Sequence, residues 1–133
     1  EAAARDGPRS IARWTTVLRA LMAQHPGHQP LMTSLRHAAY SDDMGLLFVH
    51  AGIDPARPLS AQSDALWWGG PGFAQLEAPF QAFRMVIRGR DPARGGVEVG
   101  PFSLTLDGGC GFGGPLVAVC LDPSGIPLAW IDI

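Results

Sequence analysis

The clearest pattern in the chain is a run of four apolar residues, LLFV, at positions 46–49. A continuous run of this kind, rich in β-formers, predicts a strand that is buried on both faces and lies inside a sheet. The run ends on His50, which is followed by small residues and by Asp54-Pro55, a pair typical of turns. Because ligands of open α/β sheets collect at the carboxyl ends of strands, His50 is a candidate metal ligand or proton carrier. A histidine that only makes a hydrogen bond within its loop fits the pattern equally well.

Helical periodicity precedes this strand. One apolar stripe with arginines outside it predicts an amphipathic helix over residues 10–24, with Ser10 as its N-cap. A second short helix, or a helix that leads into a strand at Tyr40, follows over residues 31–40. Polar residues at 41–45 then predict a hairpin turn into the central strand.

The pattern changes from helical to extended in the second half of the chain. A third helix is predicted over residues 60–68 with Ser60 as its cap, and its two tryptophans are expected in the core, or less often in a pocket wall. Turn signals separate further strands, predicted at residues 84–88, 97–99, 102–106, 116–121 and 128–131. Three helical segments followed by a strand meander indicate a mixed α/β sheet with antiparallel strands at its edges. With 133 residues the whole chain is expected to be a single domain, 1–133.

Charge and hydropathy exclude two classes of partner. The 10 basic residues, all arginine, are balanced by 12 acidic residues, so no strongly basic face for nucleic acid is expected. No apolar run approaches the roughly 20 residues that span a bilayer, so no membrane partner is expected either. Cys110 and Cys120 lie in apolar, glycine-flanked surroundings, which favours buried free thiols and a cytoplasmic location.

A glycine-rich segment at residues 107–114 contains the pattern G-x-G-x-x-G. A dinucleotide site of this type requires a helix after the glycines, because the helix N-terminus binds the pyrophosphate. Here Pro115 and a predicted strand follow, so we reject a dinucleotide cofactor. So many glycines still indicate unusual backbone angles and a close approach of the chain to a neighbouring group.

Three ordered motifs from about Tyr40 onward resemble those of a known family: VHAGI at 49–53, PLSAQ with LW at 58–67, and LDGGCGFGGPL at 106–116. Together they resemble the carboxy-terminal half of calcineurin-like metallophosphoesterases, closest to the bacterial Ser/Thr protein phosphatase and diadenosine tetraphosphatase branch. The resemblance implies an α/β/β/α four-layer sandwich. It also implies a pair of divalent metals of the Mn or Fe/Zn class, with His50 as a metal ligand. The resemblance further implies that hydroxide activated by these metals would attack the phosphorus of a phosphate monoester or a phosphoprotein.

The chain departs from this family in two places. The amino-terminal motifs that supply most metal ligands and the general acid are absent from the sequence, so hydrolysis would require an absent amino-terminal half. The family motif V-V-H-G-H-T-P reads VIRGRDP at 86–92. Arg90 therefore replaces a metal-ligating histidine, and a guanidinium has no lone pair to donate to a metal.

Three interpretations of Arg88 and Arg90 follow. In the first, both bind phosphate in a divergent phosphoesterase, because the planar guanidinium contacts two oxygens at once. In the second, both bind a phosphorylated small molecule or phosphoprotein in a pseudo-phosphatase that does not hydrolyse it. In the third, both only pair with nearby carboxylates: Asp54, Asp91 or Asp107. None of the three interpretations identifies a catalytic residue.

Overall fold

The computed structural model describes residues 5–41 and 45–133, in a unit that ends at Arg36 and a unit from His37 to Ile133. The first unit contains helices α1, Pro8–Ala23, and α2, His28–Ser34. The amphipathic helix therefore exists, but it begins at Pro8, with Gly7 as N-cap, and not at the predicted Ser10 cap. Proline fits the first helical turn because the N–H that it lacks would have no partner there.

The second unit is built on a mixed five-stranded sheet. Its strands are β1, Ala38–Ser41; β2, Leu46–Val49; β3, Met85–Arg88; β4, Glu98–Val99; and β5, Ser103–Thr105. The spatial order is β1-β2-β3-β5-β4, with parallel pairing of β2, β3 and β5 and antiparallel pairing at both edges. The chain is thus mixed α/β, with antiparallel edge strands as predicted. Of the predicted hairpin turn, residues 42–44 lie outside the described residues.

The strands after residue 97 do not form one continuous meander. Strand β5 inserts between β4 and β3, and strands β6, Val117–Leu121, and β7, Pro127–Asp132, form a separate two-stranded sheet. The predicted turn between β6 and β7 is present: Asp122 Oδ1 accepts hydrogen bonds from the backbone N–H groups of Ser124 and Ile126. Local turn signals identified the strands, whereas the pairing of β5 with β3 is non-local.

Strand β2 carries the core on both faces of the sheet. Leu47 packs in one apolar cluster, with Val49, Ile53, Leu66, Phe73, Phe80 and Val86. Leu46 packs in the other, with Ile87 and Leu104, against which Val119 and Leu121 of β6 also pack. The predicted two-sided burial is therefore correct for three of the four positions, since Phe48 remains 37% exposed.

The predicted helix over residues 60–68 is interrupted. A 3₁₀ turn at Leu59–Ala61 and the short helix α3, Ala65–Trp68, replace it. Gln62 lies between them and has an extended backbone. Its side-chain amide makes two hydrogen bonds with the backbone of Asp54: Oε1 accepts from the Asp54 N–H at 2.8 Å, and Nε2 donates to the Asp54 carbonyl oxygen at 2.7 Å. These bonds to the loop after β2 outweigh helix propensity. No hydrogen bond from the Ser60 side chain caps either segment.

Three side chains expected in the core are exposed. Trp68 is 68% exposed, although its neighbour Leu66 is buried. Cys110 and Cys120 are free, as predicted, but exposed and not buried. Cys120 lies between Val119 and Leu121, which pack on the core, and alternation along a strand directs it to the opposite face. In the described part of the chain, no helix has the length and apolar character needed to cross a membrane.

Candidate functional site

The candidate site lies where the parallel strands β2, β3 and β5 end at one edge of the sheet. His50 follows β2, Arg90 follows β3, and Asp107 follows β5. The backbone N–H of Arg90 donates to the carbonyl oxygen of His50 at 2.9 Å. The backbone N–H of Asp91 donates to Oδ2 of Asp107 at 2.8 Å. The structure therefore brings the predicted residues His50 and Arg90 together through their backbones.

Arg88, the third predicted site residue, is buried in internal contacts. Its Nη2 lies 3.0 Å from Oδ1 of Asp91, and both side chains are 7% exposed. Its Nε donates to the hydroxyl of Thr105 at 2.9 Å, and its Cζ lies 4.2 Å from the ring centroid of Phe73. The guanidinium is held by a carboxylate, a hydroxyl and an aromatic face.

Asp91 organises the loop that carries Arg90. Its Oδ1 accepts the backbone N–H of Ala93 at 3.0 Å, and its Oδ2 accepts that of Gly95 at 2.6 Å. Burial by itself raises the pKa of Asp91. The hydrogen bonds from Gly95 and Ala93 and the charge of Arg88 together lower it by more, so the pKa lies below its ordinary value. The carboxyl is therefore ionised at neutral pH, and the loop closes around a charged pair.

Arg90 differs from Arg88 in its surroundings. Its side chain is exposed, and it makes no ion pair or side-chain hydrogen bond with any residue in 5–41 or 45–133. Asp54, one of its possible partners, is bound instead by Arg57 at 3.3 Å. Pairing with a nearby carboxylate thus describes Arg88 but not Arg90.

His50 is exposed at the same edge. Its ring centroid lies 5.9 Å from that of Trp67, whose other neighbour is His37 at 5.4 Å. Within the ranges that the structure describes, no three side chains of His, Cys, Asp and Glu are grouped as a metal ion requires. The described residues by themselves do not supply the ligands of the metal pair that the sequence motifs imply.

The glycine-rich loop over residues 107–114 closes on itself beside this edge. A Cβ at Gly114 would collide with the carbonyl oxygen of Gly108, and Gly109 has a φ of 80°. Strand β6 follows the loop, as the sequence predicted, and the only helical residues within the loop are a three-residue 3₁₀ turn, Cys110–Phe112, in place of the α-helix that a dinucleotide site requires. The Cζ atom of Arg94 lies 3.7 Å from the ring centroid of Phe112, so a cation–π contact connects this loop to the one after β3.

Some contacts at the site could be predicted from sequence and others could not. Asp91 is one of the three carboxylates that the sequence offers as partners for the arginines. Phe73 and Thr105 could not be anticipated, because neither belongs to a motif and only the fold places them against Arg88.

Comparison with known proteins finds no matching family model, no matching curated protein and no matching solved structure.

Proposed function

We propose that the chain binds a phosphorylated small molecule or a phosphoprotein at the carboxyl edge of β2, β3 and β5, without hydrolysing it. The observation that supports this proposal is the state of Arg90. Its guanidinium is exposed and makes no ion pair with a described residue, while its backbone is held by the carbonyl oxygen of His50 at 2.9 Å. An anchored but unpaired arginine is suited to bind two phosphate oxygens through its planar fork.

Arg88 and Arg90 have different roles in this proposal. The charge of Arg88 is neutralised by Asp91 at 3.0 Å, and the same carboxylate holds the loop after β3. Arg88 therefore positions the loop, and Arg90 contacts the phosphate. His50 holds the backbone of Arg90, and its exposed imidazole offers an N–H donor to the same phosphate.

The proposal also uses the resemblance to metallophosphoesterases. We propose that the five-stranded sheet corresponds to one of the two sheets in the four-layer sandwich of that family. Hydrolysis as the alternative function would need a divalent metal. His50 is the only metal ligand that the motifs assign to the chain, and the carboxylates Asp91 and Asp107 already accept backbone hydrogen bonds. Binding without hydrolysis is therefore the function that we favour.

Calorimetric titration with phenyl phosphate tests the binding function. Arg90→Ala should weaken binding about 10-fold or more, because a charged hydrogen bond contributes roughly 1.5–3 kcal/mol. The affinity of Arg90→Lys should lie between those of the wild type and Arg90→Ala, because lysine keeps the positive charge but lacks the planar guanidinium group. Arg13→Ala removes an arginine of α1 and is the matched control, expected to bind as the wild type does. Equal affinity of the wild type and Arg90→Ala would overturn the proposal.

A second titration separates binding from metal-dependent hydrolysis. We expect that Mn²⁺ does not bind stoichiometrically to a site that depends on His50, since one histidine does not hold a metal. The heat of Mn²⁺ titration should therefore be the same for the wild type and His50→Ala. A stoichiometric site lost in His50→Ala would favour the phosphoesterase instead.

We also propose a cytoplasmic location for the protein, because two free, exposed thiols are typical of a reducing compartment.

A further inference from the structure

A cavity of about 450 Å³ lies beside the buried Arg88–Asp91 pair. Trp68 of α3 and Glu98 of β4 border it, and Pro71 is part of its wall. Small-ligand pockets measure about 300–1,000 Å³, so the cavity has room for a small organic group. Trp68 thus lies in a pocket wall, the less frequent of the two expectations for the tryptophans. The phosphate-binding proposal does not use Trp68 or Glu98.

The uncompensated charge at this cavity is negative. Arg88 and Asp91 neutralise each other at 3.0 Å. Glu98 is exposed and makes no ion pair with a residue in the described part of the chain. Opposite charges attract across a few ångströms, so the cavity favours a cation over the phosphate that we assign to Arg90.

The indole of Trp68 provides the second recognition element. The residue is 68% exposed, and its ring contacts no other aromatic ring or cation among the described residues. The face of an indole ring attracts ammonium and guanidinium groups, and the proline beside it suits methylene groups. An alkyl chain that ends in a positive charge matches both features.

We infer that this cavity binds an organic cation, an alkyl chain that carries an ammonium or guanidinium group. The carboxylate of Glu98 pairs with the charge, and Trp68 covers the chain and the cationic head. The cation comes either from a free amine or from a lysine or arginine side chain of another protein. This inference goes beyond the proposed function, because it concerns a ligand of opposite charge and other residues.

Titration with n-butylammonium, followed by saturation-transfer NMR, tests the inference. n-Butanol has the same size without the charge, and we expect it to bind more weakly. Glu98→Gln should weaken n-butylammonium binding about five-fold or more, and should leave n-butanol binding unchanged, because the variant removes only the charge. Trp68→Ala should weaken binding of the cation similarly. Glu77→Gln and Trp14→Ala change another exposed carboxylate and another exposed tryptophan, so both should match the wild type.

The same experiment can overturn the inference. If n-butylammonium binds no more tightly than n-butanol, or if Glu98→Gln binds it as Glu77→Gln does, the cavity does not recognise a cation. A comparison of probes distinguishes the two sources of the ligand. Tighter binding of Nα-acetyl-lysine methylamide than of n-butylammonium assigns a protein side chain. Equal or weaker binding of the lysine derivative assigns a free amine.

Discussion

Arg88 and Asp91 form an ion pair in which Nη2 and Oδ1 lie 3.0 Å apart and both side chains are 7% exposed. This pair lies at the end of the central parallel strand β3 and holds the loop that carries Arg90. A buried pair of this kind is costly to break, because the remaining charge is left without a partner or water. The conformation of the candidate site therefore depends on it.

Loss of one partner of this pair should strongly destabilise the fold. We expect Arg88→Ala to lower the free energy of unfolding by about 3–5 kcal/mol, measured by urea denaturation. Arg57→Ala is the matched control, because its pair with Asp54 is 56% and 41% exposed. An exposed pair contributes only about 0–1 kcal/mol. Equal, small losses in the two variants would show that Arg88 is not held as we describe.

The lowered pKa of Asp91 predicts loss of stability in acid. Near pH 4 the folded carboxyl binds fewer protons than the unfolded one, because its pKa lies below the ordinary value. Its contribution is complete above about pH 5, one unit above the ordinary carboxyl pKa, and is lost as the pH falls through the folded pKa. Urea unfolding between about pH 6 and pH 2.5 measures this decline.

The variant Asp91→Asn identifies the source of that acid sensitivity. It should flatten part of the dependence on pH, since the amide does not titrate. A smaller slope should remain, because the hydroxyl of Ser124 and the backbone N–H of Ile126 also lower the pKa of Asp122. A wild-type unfolding free energy that stays constant down to about pH 2.5 would contradict the assignment.

The glycine-rich loop should tolerate a side chain at one position and reject it at another. A Cβ at Gly114 would collide with the backbone of Gly108, whereas a Cβ at Gly111 meets no atom within 4 Å. We expect Gly114→Ala to cost about 1–3 kcal/mol of unfolding free energy, as overpacking does. Gly111→Ala should be neutral or stabilising by up to about 1 kcal/mol. Thermal denaturation compares them, and similar midpoints would show that the loop is not tightly closed.

The sequence predicts the elements of the fold better than their partners. Apolar runs identified β2 and β3, because strands inside a sheet lose their polar alternation. The interrupted helix could not be foreseen, since it depends on hydrogen bonds of Gln62 to Asp54, which lies in another loop. Glycine-flanked cysteines gave a wrong expectation of burial, because the face of β6 that packs on the core is set by the fold.

The candidate site was likewise predictable in part. The ends of parallel strands meet at one edge, so the proximity of His50 and Arg90 follows from the element order. The burial of Arg88 against Phe73 could not be predicted, because no sequence pattern connects these two positions. The sequence allows a tryptophan in a pocket wall, as found for Trp68, but not the other walls of that cavity, since they come from loops that are distant in sequence.

The central claim is that the carboxyl edge around Arg90 binds a phosphate ester. The most direct test follows the backbone amide signals in two-dimensional ¹H–¹⁵N NMR spectra during titration with phenyl phosphate. Our account predicts that the signals of His50 and Arg90 shift together and reach saturation, while those of α1 and α2 stay in place. Unmoved signals at residues 50 and 90, or shifts confined to the two helices, would contradict it.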